Sequence, residues 1–144
     1  MVITRQPPQA AVAELLSCAQ LPTSDITSGH MAHFFGAWEG PLLIGTVGIE
    51  PLGPVALLRS LAVVSSKRSS GIGSALLTKA EQYALEQNVL SLFLLTTTAA
   101  SYFGKHGYSR ISRDAAPSAI QSTTEFTCLC PESAVLMMKN IIPN

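Results

Sequence analysis

Residues 55 to 76, VALLRSLAVVSSKRSSGIGSAL, constrain the fold more than any other part of the chain. The first ten are apolar except for Arg59 and Ser60, a pattern typical of a strand that is covered on both faces. A short polar, basic and glycine-containing stretch follows, and from Ala75 onward apolar residues recur at helical spacing. The sequence therefore predicts a buried strand, a tight loop and a helix in direct succession.

The loop between this strand and this helix suits an anion. The first N–H groups of a helix have no partner within the helix, and the helix dipole leaves partial positive charge there. Gly71 and Gly73 let a ligand approach the backbone, while Lys67 and Arg68 add positive charge. The spacing Arg68-x-x-Gly71-x-Gly73 differs from both the P-loop and the dinucleotide fingerprint. We therefore expect a phosphate-binding loop of another type.

Length and charge limit the classes of function. The 144 residues fit one domain, 1–144, that can bury a core. Nine Lys and Arg residues balance nine Asp and Glu residues, and no long basic stretch occurs, so we expect no nucleic-acid partner. Charged residues make up only 12% of the chain, and a homodimer would cover part of the resulting apolar surface.

The distribution of apolar residues and cysteines bears on the compartment. No apolar segment approaches the roughly 20 residues that span a bilayer, so no membrane partner is expected. Pro7 and Pro8 fall where a signal peptide would need an apolar stretch, which favours a cytoplasmic protein. Cys18, Cys128 and Cys130 lack the spacing of zinc or redox sites, so we expect reduced thiols and no metal. Arsenic(III) binding by Cys128 and Cys130 is an alternative, because this ion favours soft thiolates.

Hydrophobic patterns and turn residues place the other elements. Short connections between successive strands require antiparallel neighbours, whereas the strand, helix and strand from 55 to 95 form a right-handed crossover with two parallel strands. Gly45 and Gly48 indicate bulges. We expect an α/β fold with strands at 2–6, 33–38, 42–50, 55–64, 89–95, 125–129 and 134–139, and helices at 10–19, 74–88 and 99–106.

Two motifs resemble the GCN5-related N-acetyltransferases, the GNAT family. Arg68-x-x-Gly71-x-Gly73 is similar to their acyl-CoA loop, and the segment 99–108, Ala-x-x-Tyr-Phe-x-x-x-Gly-Tyr, is similar to a second family motif. The resemblance implies a GNAT fold: one mixed, mostly antiparallel central sheet of about six or seven strands, flanked by helices. A splayed parallel strand pair would mark the acetyl-CoA site. Acetyl-CoA would be the co-substrate, and the chain an acetyl-CoA-dependent N-acetyltransferase.

The resemblance also implies which residues contact the cofactor. Backbone amides of the loop would hold the pyrophosphate of coenzyme A, and the strand before the loop would pair with the pantetheine arm. Phe103 aligns with a position where many members carry a general-acid tyrosine. The cofactor-binding residues implied are Leu61, Ala62, Val63, Arg68, Ser69, Ser70, Gly71, Ile72, Gly73, Ser74 and Phe103.

Several blocks resemble a narrower group, the acetyltransferases encoded beside arsenic-resistance genes. The blocks are residues 58–63, 95–99, 125–126 and 130–135. They imply that the acceptor is the amine of a small molecule, either amino-acid-like or arsenic-containing. The Arg-Ser-Leu element within the first block also resembles glutamate N-acetyltransferases, so the blocks leave the acceptor open.

Acetyl transfer to an amine needs a base, donors that polarise the thioester carbonyl, and an acid for the thiolate. Phe103 cannot donate a proton, and Tyr102 is the alternative acid, but the adjacent helical position points elsewhere, so we prefer to interpret Tyr102 as a core aromatic. Thr97, in the run 96–98, is a candidate donor, although helix capping explains at least one of these threonines. Glu50 and Glu125 are the candidate bases, because both adjoin apolar strand residues.

Arg59 is the most informative charged side chain outside the loop. A cation within an apolar strand must be paired or must face a site. One interpretation is that Arg59, together with Glu125, binds the acceptor, since a guanidinium fork suits a carboxylate, arsonate or phosphinate. The other is an internal salt bridge to Glu50 or Glu125. A non-catalytic acyl-CoA-binding sensor or interaction module on the same fold is the alternative function, because Phe103 replaces the usual acid.

Overall fold

The computed structural model describes residues 1–21, 23–67, 70–123, 126–127 and 133–142. The strands are β1 (Val2–Arg5), β2 (Phe34–Glu39), β3 (Leu42–Leu52), β4 (Val55–Val63), β5 (Ser91–Thr96), β6 (Ser109–Ile111) and β7 (Val135–Asn140). The α-helices are α1 (Gln9–Cys18), α2 (Ile72–Glu86), α3 (Ala100–Lys105) and α4 (Ser118–Gln121). Short 3-10 turns lie at Ser28–His33, Ser65–Lys67 and Arg113–Ala115.

The strands form one mixed sheet of seven strands in the order β1-β2-β3-β4-β5-β7-β6. β1, β2 and β3 pair antiparallel, as do β5 with β7 and β6 with β7. β4 and β5 pair parallel, from Val55 opposite Ser91 to Leu57 opposite Phe93. The mixed, mostly antiparallel sheet and its parallel pair confirm the predicted fold class.

The chain divides into two compact units, Met1–Glu50 with Leu58–Tyr83, and Pro51–Leu57 with Ala84–Asn144. β4 and α2 therefore contribute residues to both units. The expectation of one domain stays a prediction. In the described part of the chain, no helix is both long and apolar enough to cross a membrane.

The core of the first unit is built around α1. This helix begins after Pro8, whose backbone is extended, and its apolar residues recur at three- and four-residue spacing. That spacing places them on one face, which is buried against the 3-10 turn 28–33 and the sheet. The buried residues of this cluster are Val12, Leu15, Leu16, Ile26, Met31, Phe34, Leu43 and Ala62.

The two glycines of β3, Gly45 and Gly48, have different structural roles. The pairing of β2 with β3 shifts register so that Ala37 faces Gly45 while Trp38 faces Leu43, which makes the predicted irregularity at Gly45 correct. A Cβ at Gly48 would lie 2.3 Å from the ring of Phe34. Gly48 is therefore required for close packing of the Phe34 ring, and the structure shows no bulge there.

The second unit has its own core, which joins β4 and β5 to α4 and β7. Leu57, Phe93, Ala116, Ile120 and Leu136 are its buried members. The predicted strand 125–129 is wrong at the two positions that the structure describes, Phe126 and Thr127. They form a helical turn in which the backbone N–H of Thr127 donates to the carbonyl of Thr123 at 3.1 Å. The Thr123 hydroxyl also accepts from Phe126 N, so local side-chain hydrogen bonds compete with strand formation.

Candidate functional site

The glycine loop, residues 67–74, connects β4 to α2 through the 3-10 turn 65–67. The backbone N–H of Lys67 donates to Val64 O at 2.9 Å, and the Ser70 hydroxyl donates to the carbonyl of Lys67. Gly71 has a φ of +86°, a conformation that side chains disfavour, and its carbonyl accepts the first helical bond from Ala75 N. Arg68 and Ser69 lie outside the described residues.

The described part of this loop fits a phosphate. The backbone N–H groups of Ile72, Gly73 and Ser74 open α2, and they have no acceptor among the described residues. A Cβ at Gly71 would meet no described atom within 4 Å, so the approach to these groups is open. The side chain of Ile72 is buried, so it does not cover the opening of the helix. These features match an anion held by a helix start.

A surface ion pair adjoins the loop. Lys67 Nζ lies 3.1 Å from Glu39 Oε1, and the two side chains are 37% and 52% exposed. Because both charges face solvent, the pair contributes little to stability and leaves Lys67 able to reorient toward an anion.

Before the loop, β4 contains an unusual backbone conformation. Ser60 has a φ of +61°, in the left-handed region, although it is not a glycine and lies inside a strand. Its hydroxyl accepts a hydrogen bond from Arg59 Nε at 3.2 Å. Such a conformation is stable only where the surrounding contacts fix it, and it changes the direction of neighbouring side chains.

Arg59 lies at the centre of a buried ion cluster, which consists of Asp25, Glu50 and Arg59. Arg59 Nη2 donates to Asp25 Oδ1 at 2.7 Å, and Nη1 donates both to Asp25 Oδ2 and, at 2.7 Å, to Glu50 Oε1. The Arg59 side chain is 2% exposed, against 11% for Asp25 and 17% for Glu50. The guanidinium fork is thus filled by a bidentate carboxylate, and a second carboxylate shares one of its nitrogens.

Arg59 also determines the ionisation of Asp25. Burial by itself would raise the pKa of this carboxyl, but the hydrogen bond and the charge of Arg59 outweigh it, and the pKa of Asp25 lies below its usual value. The carboxylate is therefore ionised at neutral pH.

The catalytic candidates of the second unit lie at the start of α3. The Thr96 hydroxyl accepts from the backbone N–H of Ala99 at 3.0 Å, so this threonine supports the turn into the helix. Thr97 and Thr98 are exposed. Tyr102 is 36% exposed, and its ring centroid lies 4.7 Å from that of His106 with the two rings tilted by 49°. Phe103 is buried, and its ring meets the ring of Tyr108 edge-on at a centroid distance of 5.7 Å. The interpretation of Tyr102 as a core aromatic is wrong, because Phe103 occupies the inward face.

Tyr102 has a pKa that burial raises above the usual value for tyrosine. Its phenol is therefore protonated at neutral pH. The raised pKa makes this phenol a weaker acid than an ordinary tyrosine side chain.

A family model described as the acetyltransferase (GNAT) family matches residues 6–108. The chain belongs to the GNAT acetyltransferase family. An uncharacterized N-acetyltransferase of Chlorobaculum tepidum is 38% identical over 92 residues, which are 63% of this GNAT chain and 59% of the relative. The matched part thus spans less than two thirds of that relative's length.

Solved structures share the fold of this GNAT chain. They include N-acetylglutamate synthase from Neisseria gonorrhoeae complexed with coenzyme A and N-acetyl-glutamate, at 16% identity and a TM-score of 0.82 over 99% of this chain and 35% of that one. An aminoglycoside 6'-N-acetyltransferase complexed with coenzyme A has 18% identity and a TM-score of 0.76 over 100% and 99% of the two chains. A GNAT acetyltransferase from Staphylococcus aureus has 19% identity and a TM-score of 0.77 over 98% and 99%. The mixed seven-stranded sheet with a parallel β4–β5 pair is the GNAT fold.

The structure of this GNAT chain brings together some of the residues singled out in the sequence. Arg59 and Glu50 are in direct contact, so the predicted Glu50 salt bridge is present. Ser70, Gly71, Ile72, Gly73 and Ser74 form the described part of the glycine loop, and of the residues before it Ala62 is buried while Leu61 and Val63 are half-buried. Glu125, Cys128 and Cys130 lie outside the described residues, and the described ones contain no cluster of three His, Cys, Asp or Glu that suits a metal.

Sequence reasoning missed Asp25. This residue is 34 positions from Arg59 and lies in a polar segment that resembles an ordinary surface loop. The one available signal was Arg59 itself, since a buried guanidinium requires carboxylate partners, but nothing in the sequence distinguishes Asp25 from other acidic residues.

Proposed function

We propose that this chain transfers acetyl from acetyl-CoA to the amine of a small molecule. The observation that carries the proposal is the glycine loop: in a GNAT chain, Gly71 with its positive φ is followed by three helix-opening N–H groups without an acceptor among the described residues. The site fits a diphosphate, and coenzyme A carries one. We expect the protein to act in the cytoplasm, without a nucleic acid or membrane partner, and a homodimer stays a prediction.

Residues on both sides of the loop would hold the cofactor. The backbone of residues 70–74 would bind the pyrophosphate, and Arg68 and Ser69 are proposed with them from the sequence motif. Leu61, Ala62 and Val63 would pair with the pantetheine arm by backbone hydrogen bonds, and Phe103 would supply apolar contact. The bound cofactor provides an activated acetyl group as a thioester.

For the acceptor we propose an amino-acid-like amine, including arsenic-containing members of that class. Support comes from the sequence blocks that resemble the arsenic-resistance acetyltransferases and from Arg59, whose fork suits an oxyanion. N-acetylglutamate synthase, a GNAT structure, is complexed with an acetylated amino acid, whereas another structure of the fold is an aminoglycoside acetyltransferase. We propose that Arg59, with Glu125, determines which of these acceptor amines binds.

Direct attack by the amine accounts for the roles of the candidate residues. The neutral amine nitrogen forms a bond to the thioester carbonyl carbon, the carbon–sulfur bond breaks, and the thiolate takes a proton. Glu50 is the proposed base, because its Oε1 is held by Arg59 while its Oε2 has no hydrogen-bond partner among the described residues. Tyr102 is the proposed acid, since its phenol keeps its proton. Thr97 is proposed to donate a hydrogen bond to the thioester oxygen.

Calorimetric titration with acetyl-CoA tests the glycine loop. We expect Gly71→Asp to weaken binding by about a hundredfold or more, because the new carboxylate repels the phosphates where the N–H groups must bind them. Gly53→Asp is the matched control: Gly53 has a φ of +81° and no described atom within 4 Å of a new Cβ, but it precedes β4 rather than following it. Equal effects of the two substitutions, or no binding by the wild type, would contradict the proposal.

A non-catalytic acyl-CoA sensor is the second candidate. Phe103, buried and without a proton, favours it, because this position carries the acid in many relatives that the chain resembles. Release of free thiol from acetyl-CoA in the presence of an amine panel separates the two functions. Acceptor-dependent release establishes the transferase, while binding without release with every amine establishes the sensor.

A further inference from the structure

The ion cluster has a geometry that bears on the identity of the acceptor. Arg59 is almost fully covered, and both terminal nitrogens of its guanidinium are already engaged by the carboxylate of Asp25. An acceptor carboxylate that contacts both terminal nitrogens would therefore take the place of the Asp25 carboxylate. Because the loss of one partner from a buried ion pair is costly, we expect that contact as an exchange of one carboxylate for another, while Glu50 stays on Nη1.

Glu50 adds a second element to this arrangement. Its Oε1 and Asp25 Oδ2 accept from the same nitrogen, Nη1 of Arg59, so a group in the place of the Asp25 carboxylate would lie next to Glu50. An α-amino acid carries its ammonium on the carbon adjacent to its carboxylate. With the carboxylate on Arg59, the ammonium would meet Oε2 of Glu50, where a base is required and where no donor from the described residues lies within hydrogen-bond distance.

Asp25 differs from Glu50 in how the backbone holds it. Glu50 is part of β3, whereas Asp25 lies in the segment between α1 and the 3-10 turn 28–33. That segment is fixed next to Asp25 by the buried side chain of Ile26, whose carbonyl accepts from Gln9 Nε2 at 3.0 Å. Rotation of the Asp25 side chain toward solvent leaves these anchors intact, because none of them uses its carboxylate.

We propose that Asp25 holds the place of the acceptor's oxyanion on Arg59, and that a zwitterionic α-amino-acid-like acceptor displaces it with its ammonium beside Glu50. This inference rests on the proposed acetyl transfer and narrows it to one substrate class. Asp25 then determines specificity: amines without an oxyanion offer no replacement on Arg59, and acceptors with one compete against the protein's own carboxylate.

Steady-state thiol release with L-glutamine, L-asparagine and L-methionine, whose side chains carry no carboxylate, each compared with its α-amide, tests the exchange. In the wild type we expect kcat/KM for each amino acid to exceed that of its amide by about tenfold or more, because only the acid can replace Asp25. In Asp25→Asn we expect the KM of the amino acids to fall about tenfold, since an internal competitor that fills a site for nine-tenths of the time lowers apparent affinity by that factor. The KM values of the amides and of acetyl-CoA should not change.

Several outcomes would overturn the inference. They are equal kcat/KM for acids and amides in the wild type, and an Asp25→Asn effect that is the same for both or that raises the KM of the acids. Thermal unfolding and acetyl-CoA titration of the variant report whether it is folded; if it is not, the wild-type comparison decides alone. Failure of every amine to release thiol from an enzyme that binds acetyl-CoA would instead contradict the proposed transferase, so the two failures are distinguishable.

Discussion

The glycine loop comes after β4 and Arg59 of the ion cluster lies within β4, but the two regions are held by different kinds of contact. The loop follows β4 directly, and its hydrogen bonds join residues that are three or four positions apart. The ion cluster joins Arg59 to Glu50, nine positions away, and to Asp25, 34 positions away. A local segment can therefore form the anion site, whereas the charge arrangement around Arg59 exists only once the first unit has folded.

The two regions should differ most in their effect on stability. Arg59→Met leaves two adjacent carboxylates without their cation, and removal of one partner of a buried ion pair typically lowers the free energy of unfolding by about 3–5 kcal/mol. Urea denaturation measures this loss. A loss below about 1 kcal/mol would mean that the ion cluster contributes little to stability. The expected difference between the cluster and the loop would then be wrong.

Acid should remove part of the same contribution. Because the pKa of Asp25 is lowered in the folded state, its stabilising effect is complete above the ordinary carboxyl pKa of about 4 and is lost as the pH falls through the lower folded value. We expect Asp25→Asn to lower the free energy of unfolding by roughly 1–3 kcal/mol at pH 7, since a buried charged partner is lost. The difference from the wild type should shrink below about pH 4 in denaturation experiments. A difference that does not vary with pH would assign the effect to packing.

The loop should tolerate a change that affects only its backbone. Gly71→Ala and Gly53→Ala both place a Cβ in a left-handed conformation without a described atom within 4 Å, so each should lower stability by about 1 kcal/mol. Thermal unfolding of the two variants side by side measures this. A much larger loss for Gly71→Ala would show that the loop is held by long-range contacts, as the ion cluster is.

The smallest effect is expected at the surface pair. Lys67→Met removes an exposed ion pair with Glu39, and such pairs contribute about 0–1 kcal/mol, which salt decreases further. Denaturation at low and high salt, with Arg59→Met as the reference, compares how much a surface ion pair and a buried ion pair contribute to the free energy of unfolding. Comparable losses for the two variants would contradict the distinction drawn from burial.

Much of the fold could be predicted because its determinants are local. The run of apolar residues from Val55 and the helical spacing after Gly71 each predict one element from residues that are adjacent in sequence. The predicted strand 125–129 is wrong at Phe126 and Thr127 for a reason that is also local. The backbone N–H groups of both residues donate to Thr123, one to its carbonyl and one to its hydroxyl, and these hydrogen bonds compete with strand formation.

The sequence by itself determined the glycine motif, the succession of strand, loop, helix and strand from residue 55 to 95, and the need for an anion at Arg59, either an internal carboxylate or an acceptor. Tertiary structure decided that Asp25 is that partner together with Glu50, that Phe103 faces inward while Tyr102 is exposed, and that Gly48 makes room for the ring of Phe34. Local hydrogen bonds and hydrophobic periodicity depend on residues that are adjacent in sequence, so they can be predicted from it. The pairing of distant charges and the packing of one ring against a glycine depend on which strands and loops come into contact. Those contacts form only when the chain folds and its core packs.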